Sequence, residues 1–202
     1  MTKSQQIKSM LSKTKNFFMD YTNFDKLSTG YGLTSDHSLN PERASIAATG
    51  FMFCALIIAH HYDQLTKDDL IERANRTVDA LLKMNHHHGF FPHFMSRSDG
   101  ERFKKSEYST IDTMLMIMGL IAIDSYINDP DFSKKAQTLI DRIDWKSYLT
   151  TYQGKKVFAM SYNDLDQGDY VTGKAGYIYH WHMYAEQLMM YVLYPEDDAL
   201  EL

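Results

Sequence analysis

Thiols are nearly absent from this 202-residue chain: Cys54 stands alone, so no internal disulfide can form and a reducing compartment is compatible. Positive charge is in deficit, with 21 Lys and Arg against 26 Asp and Glu and a net charge of −5. The basic residues are also scattered, which argues against a nucleic-acid stripe or a polybasic membrane anchor. The opening Met-Thr-Lys-Ser-Gln-Gln lacks the apolar core of a signal peptide. No uninterrupted apolar run reaches the roughly 18–20 residues of a membrane span. These absences lead to the expectation of a soluble, cytoplasmic, single-domain protein that binds neither nucleic acid nor membrane. The glycines form no phosphate loop, and neither a Gly-x-Ser-x-Gly elbow nor a His-Glu-x-x-His helix occurs.

Helical periodicity is abundant. Residues 5–20 place Ile7, Met10, Leu11, Phe17 and Phe18 on one face, so helix one covers something. A long Gly-, Ser- and Asp-rich loop, 23–41, follows. Helix two, over 42–62, is apolar almost all round from 44 to 59, with Gly50 as a sign of close helix packing. Helix three opens with Thr66-Lys-Asp-Asp69 and again has one apolar face, carrying Leu70, Ala74, Val78 and Leu81. Helix four begins near 106 and is apolar over 114–123. Helix five, 132–143, is one-faced, and helix six, 182–194, is apolar in its second half. Residues 90–103 could fold back around Asp99-Gly100, and the Tyr- and Gly-rich stretch 145–179 has room for short strands. Covering and buried helices thus alternate, and antiparallel hairpins bring the starts of the three buried helices to one end.

Those starts carry the chemistry. Tyr31, Asp36 and His37 precede helix two, and Phe90, Phe91 and His93 lie on the loop into helix four. Ser106, Glu107, Ser109 and Asp112 open helix four, and His180, Trp181, Tyr184 and Glu186 open helix six. Carboxylates in first turns also serve as caps and dipole partners, an account that weighs evenly with a functional one for Glu107 taken alone. Asp112 and Glu186 are expected a turn inside apolar helices, where an unpaired carboxylate is costly. Two or three carboxylates in an aromatic-rich cleft suit glycoside hydrolysis, one protonating the leaving oxygen and another activating water or attacking the sugar. The nine His raise a metal alternative. Consecutive His86, His87 and His88 diverge, however, and no pair has zinc-helix spacing, so no metal or cofactor is expected. The Met residues are expected to fill the core.

Several segments, in order, are similar to the bacterial glycoamylase-like family, which includes β-1,2-glucan-degrading enzymes and a domain of cyclic β-1,2-glucan synthases. They are Ser28-Thr-Gly-Tyr-Gly-Leu-Thr-Ser-Asp36, Ala44-Ser-Ile-Ala-Ala-Thr-Gly50, His88-Gly-Phe-Phe-Pro-His-Phe94, Ser106-Glu-Tyr-Ser-Thr-Ile-Asp-Thr113, Arg142-Ile-Asp-Trp145 and Trp181-His-Met-Tyr-Ala-Glu186. The resemblance implies an all-α fold, half of an (α/α)6 toroid of about three helical hairpins. It also implies an inverting β-glucanase with Glu107, Asp112 and Glu186 as cavity carboxylates and Asp36 beside them. Tyr31, Phe90, Phe91, His93, Trp181 and Tyr184 are then expected to contact an oligosaccharide. Ala185 departs from the family's Asn. Because family domains are about twice this length, completion by a second polypeptide or another copy of the chain is expected, and a non-catalytic sugar-binding remnant is the alternative.

Overall fold

The computed structural model describes residues 2–164, 174–183 and 185–194. Its elements, in order, are α1 (Lys3–Tyr21), β1 (Thr34–Ser35), β2 (Arg43–Ser45), α2 (Ile46–His61), α3 (Lys67–Leu81), β3 (Phe94–Ser96), β4 (Tyr108–Ser109) and α4 (Thr110–Ile127). There follow α5 (Pro130–Asp141), a 3₁₀ turn at Trp145–Tyr148, β5 (Leu149–Tyr152), β6 (Lys155–Asn163), β7 (Gly176–His180) and α6 (Leu188–Leu193). The strands form two antiparallel sheets, β1-β2-β3 and a four-stranded sheet in which β4, β5 and β7 all pair with β6.

The fold is therefore mixed helix and sheet, and the expected all-α half-toroid of helical hairpins is corrected. The reason is local. Residues 43–45 and 108–109, read as the beginnings of helices two and four, are extended and paired: Arg43 lies opposite Ser96, and Tyr108 opposite Tyr162. Ser45 and Ser109 end these strands in β conformation and cap the helices, accepting from the Ala48 and Asp112 amides. Each helix start shifts four residues or so down the chain. Helix six shrinks further, to Leu188–Leu193, with Met190 buried and Val192 74% exposed. It is not the all-round buried helix the composition suggested.

The helix interior does follow its periodicity. In α3, Leu70, Ala74, Val78 and Leu81 are buried on one face, as are Phe132, Ala136 and Leu139 in α5. Thr66 and Asp129 cap these helices, Asp129 with Pro130 at the first position. Helices α2 and α4 form the centre. They cross backbone to backbone, because a Cβ on Gly50 would stand 2.4 Å from the Leu115 carbonyl oxygen, and one on Gly119 only 2.0 Å from that of Gly50. At 18 residues, α4 is long and apolar enough by composition to cross a membrane, and half of it is buried within the protein. The segment 90–96 runs between the two sheets: β3 pairs with β2, and Pro92 bridges to Tyr108 of β4.

Candidate active site

The bridging segment sets His93 between the beginnings of both central helices. Its N–H donates to the Glu107 carbonyl oxygen at 2.8 Å, and its own carbonyl accepts from Ile46, the first residue of α2, at 3.2 Å. The neighbouring Phe91 amide donates to Thr113 Oγ1 (2.9 Å) and the Phe94 amide to Ser106 Oγ (2.7 Å). Every backbone group that aims the imidazole is thus tied to the start of a central helix or the strand before it.

The ring in turn joins two carboxylates. Nδ1 lies 2.8 Å from Glu107 Oε1 and Nε2 lies 3.6 Å from Asp112 Oδ1. The three side chains are only 29%, 14% and 13% exposed for His93, Glu107 and Asp112 respectively. Burial acts to lower the basicity of His93. The hydrogen bond that the ring donates to the Glu107 carboxylate and the negative charges of Asp112, Glu107 and Asp36 outweigh it, so the imidazole titrates above its ordinary range. The Asp112 carboxyl is also pushed up, chiefly by burial. His93 and the Ser109 hydroxyl pull it down, while Glu107 and Glu186 push it further up. Asp112 has a structural duty as well: it sits in the first turn of α4, and Ser109 Oγ, which accepts from its amide, donates to its Oδ2.

Asp36 follows β1 and pairs with Arg43 of β2, Nη2 to Oδ2 at 2.6 Å. The Arg43 guanidinium lies over the Phe94 ring, 4.4 Å from its centroid, and Phe94 stacks on His93 at 3.7 Å and 23°. Sequence reading passed over Arg43 and Phe94. The only signal for them was their place beside Asp36 and His93, and the pairing that joins them spans some fifty residues.

The structure thus brings Asp36, His93, Glu107 and Asp112 together. Glu186 is near enough to act on Asp112, yet it is exposed and lies in the turn before α6, which corrects its expected place inside a buried helix. Trp181 is half-buried, and its indole N–H donates to Thr110 Oγ1 at 3.2 Å, docking the strand β7 on the start of α4. Phe90 and Phe91 are in the core, Phe90 against Trp145 and Tyr148, Phe91 beneath the Arg142 guanidinium. Tyr31 lines a separate cavity of about 460 Å³ between the 26–31 loop, α3 and the 99–101 turn. Tyr184 lies outside the described residues. Among the described residues, no group of three or more His, Cys, Asp or Glu side chains is arranged to hold a metal ion.

Chemically, the cluster offers a carboxyl that tends to keep its proton, a second carboxylate hydrogen-bonded to an imidazole, and an imidazole that tends to keep its charge. No family model matches the sequence, and no curated protein matches it. Solved structures do match in fold. An endo-β-1,2-glucanase from Chitinophaga pinensis superposes with a TM-score of 0.75 at 19% identity, over 96% of this chain and 47% of its own. A candidate glucoamylase from Bacteroides fragilis gives 0.74 at 20% identity, over 96% and 46%. A β-1,2-glucanase from Parabacteroides distasonis gives 0.72 at 16% identity, over 96% and 28%. At these identities the likeness is one of fold, and this chain spans less than half the length of those it matches.

Proposed function

We propose that this chain carries a glycoside hydrolase site for a β-glucan, with β-1,2-glucan the first substrate to test. The observation that supports it most is the pair Glu107 and Asp112 held on opposite nitrogens of one imidazole. An inverting hydrolase requires two carboxyl groups with separate duties, an acid for the leaving oxygen and a base that activates water. Asp112, whose carboxyl is pushed up chiefly by burial, suits the acid that protonates the leaving oxygen. Glu107, hydrogen-bonded to His93, suits the base that takes a proton from the attacking water. The water oxygen bonds to the anomeric carbon as the glycosidic bond breaks, so the configuration inverts. The fold's likeness to two β-1,2-glucanases directs the choice of glucan.

The test is hydrolysis of β-1,2-glucan by this chain alone and mixed with a polypeptide that supplies the rest of a full-length relative's fold. Glu107→Gln and Asp112→Asn are expected to reduce turnover by about a thousandfold or more while the fold persists. Proton NMR of the first product should show the anomer opposite to the substrate linkage. Retained turnover in both variants would overturn the assignment. A second reading is a sugar-binding protein without turnover, favoured by the chain's coverage of only 46–47% of two of its structural relatives. Binding without hydrolysis in both mixtures would select it.

A further inference from the structure

The Asp36–Arg43 ion pair has no part in the acid and base roles above, yet it is linked to the same imidazole through the Phe94 ring that lies between Arg43 and His93. Arg43 and Phe94 stand on neighbouring strands, β2 and β3, whose register places Arg43 opposite Ser96 and Ser45 opposite Phe94. Three flat groups are therefore layered: guanidinium, benzyl ring, imidazole, at 4.4 Å and then 3.7 Å. Asp36 is fixed to Arg43 twice, by the 2.6 Å ion pair and by its amide donating to the Arg43 carbonyl at 2.8 Å. The Arg43 Nε is buried and has no hydrogen-bond partner among the described residues, so this arginine is held by its pair with Asp36 and by the stack more than by donors fully used.

We propose that the Asp36–Arg43 pair is a charge trim on His93, its two members biasing in opposite directions the positive charge that His93 presents to Glu107 and Asp112. The negative member favours the imidazolium and the positive member disfavours it. The stacked Phe94 sets the distance from Arg43 to the imidazole and covers one face of that ring, so the charges act on it across a layer that holds no water. Arg43 is thereby a positioning residue, acting on the carboxylates through His93. The other groups facing His93 are Glu107 before β4 and Asp112 on α4. His37 Nε2 stands 4.0 Å from Asp36 Oδ2. The inference deepens the reading of this site as a hydrolase, and rests on it only for the consequence in catalysis.

The experiment is an NMR titration of the His93 ring protons, which needs no substrate. Arg43→Met should raise the midpoint and Asp36→Asn should lower it. The double variant should return close to the parent, and Arg43→Lys, which keeps the charge, should change it least. A pair that only braced the loop would loosen the site in both single variants and move the midpoint the same way in each. Shifts of the same sign, or no shift in either, would overturn the proposal. If Arg43→Met does not fold, Asp36→Asn against Arg43→Lys still decides it, since only the first removes a charge. Should the protein hydrolyse no glucan while the opposite shifts appear, the trim stands and the hydrolase reading falls. Should it be active, the pH profile of kcat/KM must move with the His93 midpoint in each variant.

Discussion

His93 titrates above its ordinary range although burial opposes it, because three carboxylates act on it, with the Glu107 hydrogen bond the strongest of their effects. Removing the carboxylates one at a time should reproduce that order. Glu107→Gln is expected to lower the His93 midpoint more than Asp112→Asn, by NMR titration of the same ring protons. The linkage to stability has a definite sign. A histidine whose titration is raised by folding adds stability that is complete below the unfolded value near 6.5 and fades as pH rises through the folded one. His93→Gln should therefore destabilise the protein more at about pH 5 than at about pH 8.5, measured by urea unfolding at each pH. Much of this cluster was legible in the sequence, since Asp36, His93, Glu107 and Asp112 are the types that acid–base chemistry requires. Arg43 and Phe94 were not. Their role comes from stacking across a strand pair, which no local spacing announces.

Among the elements, α3 and α5 could be read directly, because four or five apolar residues at helical spacing make a detectable period. Strands of two or three residues have no period to detect, and their partners lie far away in sequence, as with Tyr108 and Tyr162. That is why β1, β2 and β4 escaped detection and the helix starts were placed too early, although Asp99-Gly100 and the Tyr- and Gly-rich stretch 145–179 do announce a hairpin and short strands. The two capping serines mark where the reading should have stopped. Ser109→Ala should cost about 1 kcal/mol by denaturant unfolding, the usual loss for an N-cap, and should also free the Asp112 carboxyl. Gly50, by contrast, was rightly suspected of close packing. With a Cβ at Gly119 falling 2.0 Å from the Gly50 carbonyl oxygen, Gly119→Ala must push α2 and α4 apart. A loss of about 3 kcal/mol is expected in the same measurement, at the upper end for overpacking.

For the whole molecule, the balance of charge bears on what can bind. With a net charge of −5 and no basic stripe, affinity for the proposed substrate, a neutral glucan, should come from hydrogen bonds and ring stacking. Calorimetric affinity is then expected to change by less than about twofold between low and physiological salt, whereas phosphate-driven binding would collapse. Length matters at this scale too. The chain accounts for less than half of each of the three solved structures named above, so an assay of the chain alone is only half of the comparison.

The two backbone bonds of His93 have a mechanical meaning. One runs to Glu107, just before the strand that leads into α4, and the other to the first residue of α2. A slide of either helix along the other would stretch one of them, so the imidazole works as a gauge of the register between the two. The reactive geometry cannot drift while the core stands still, and the core cannot shift without the site registering it. Hydrogen exchange at the Ile46 and His93 amides should accordingly be as slow as at the midpoints of α2 and α4, opening only when the whole domain opens.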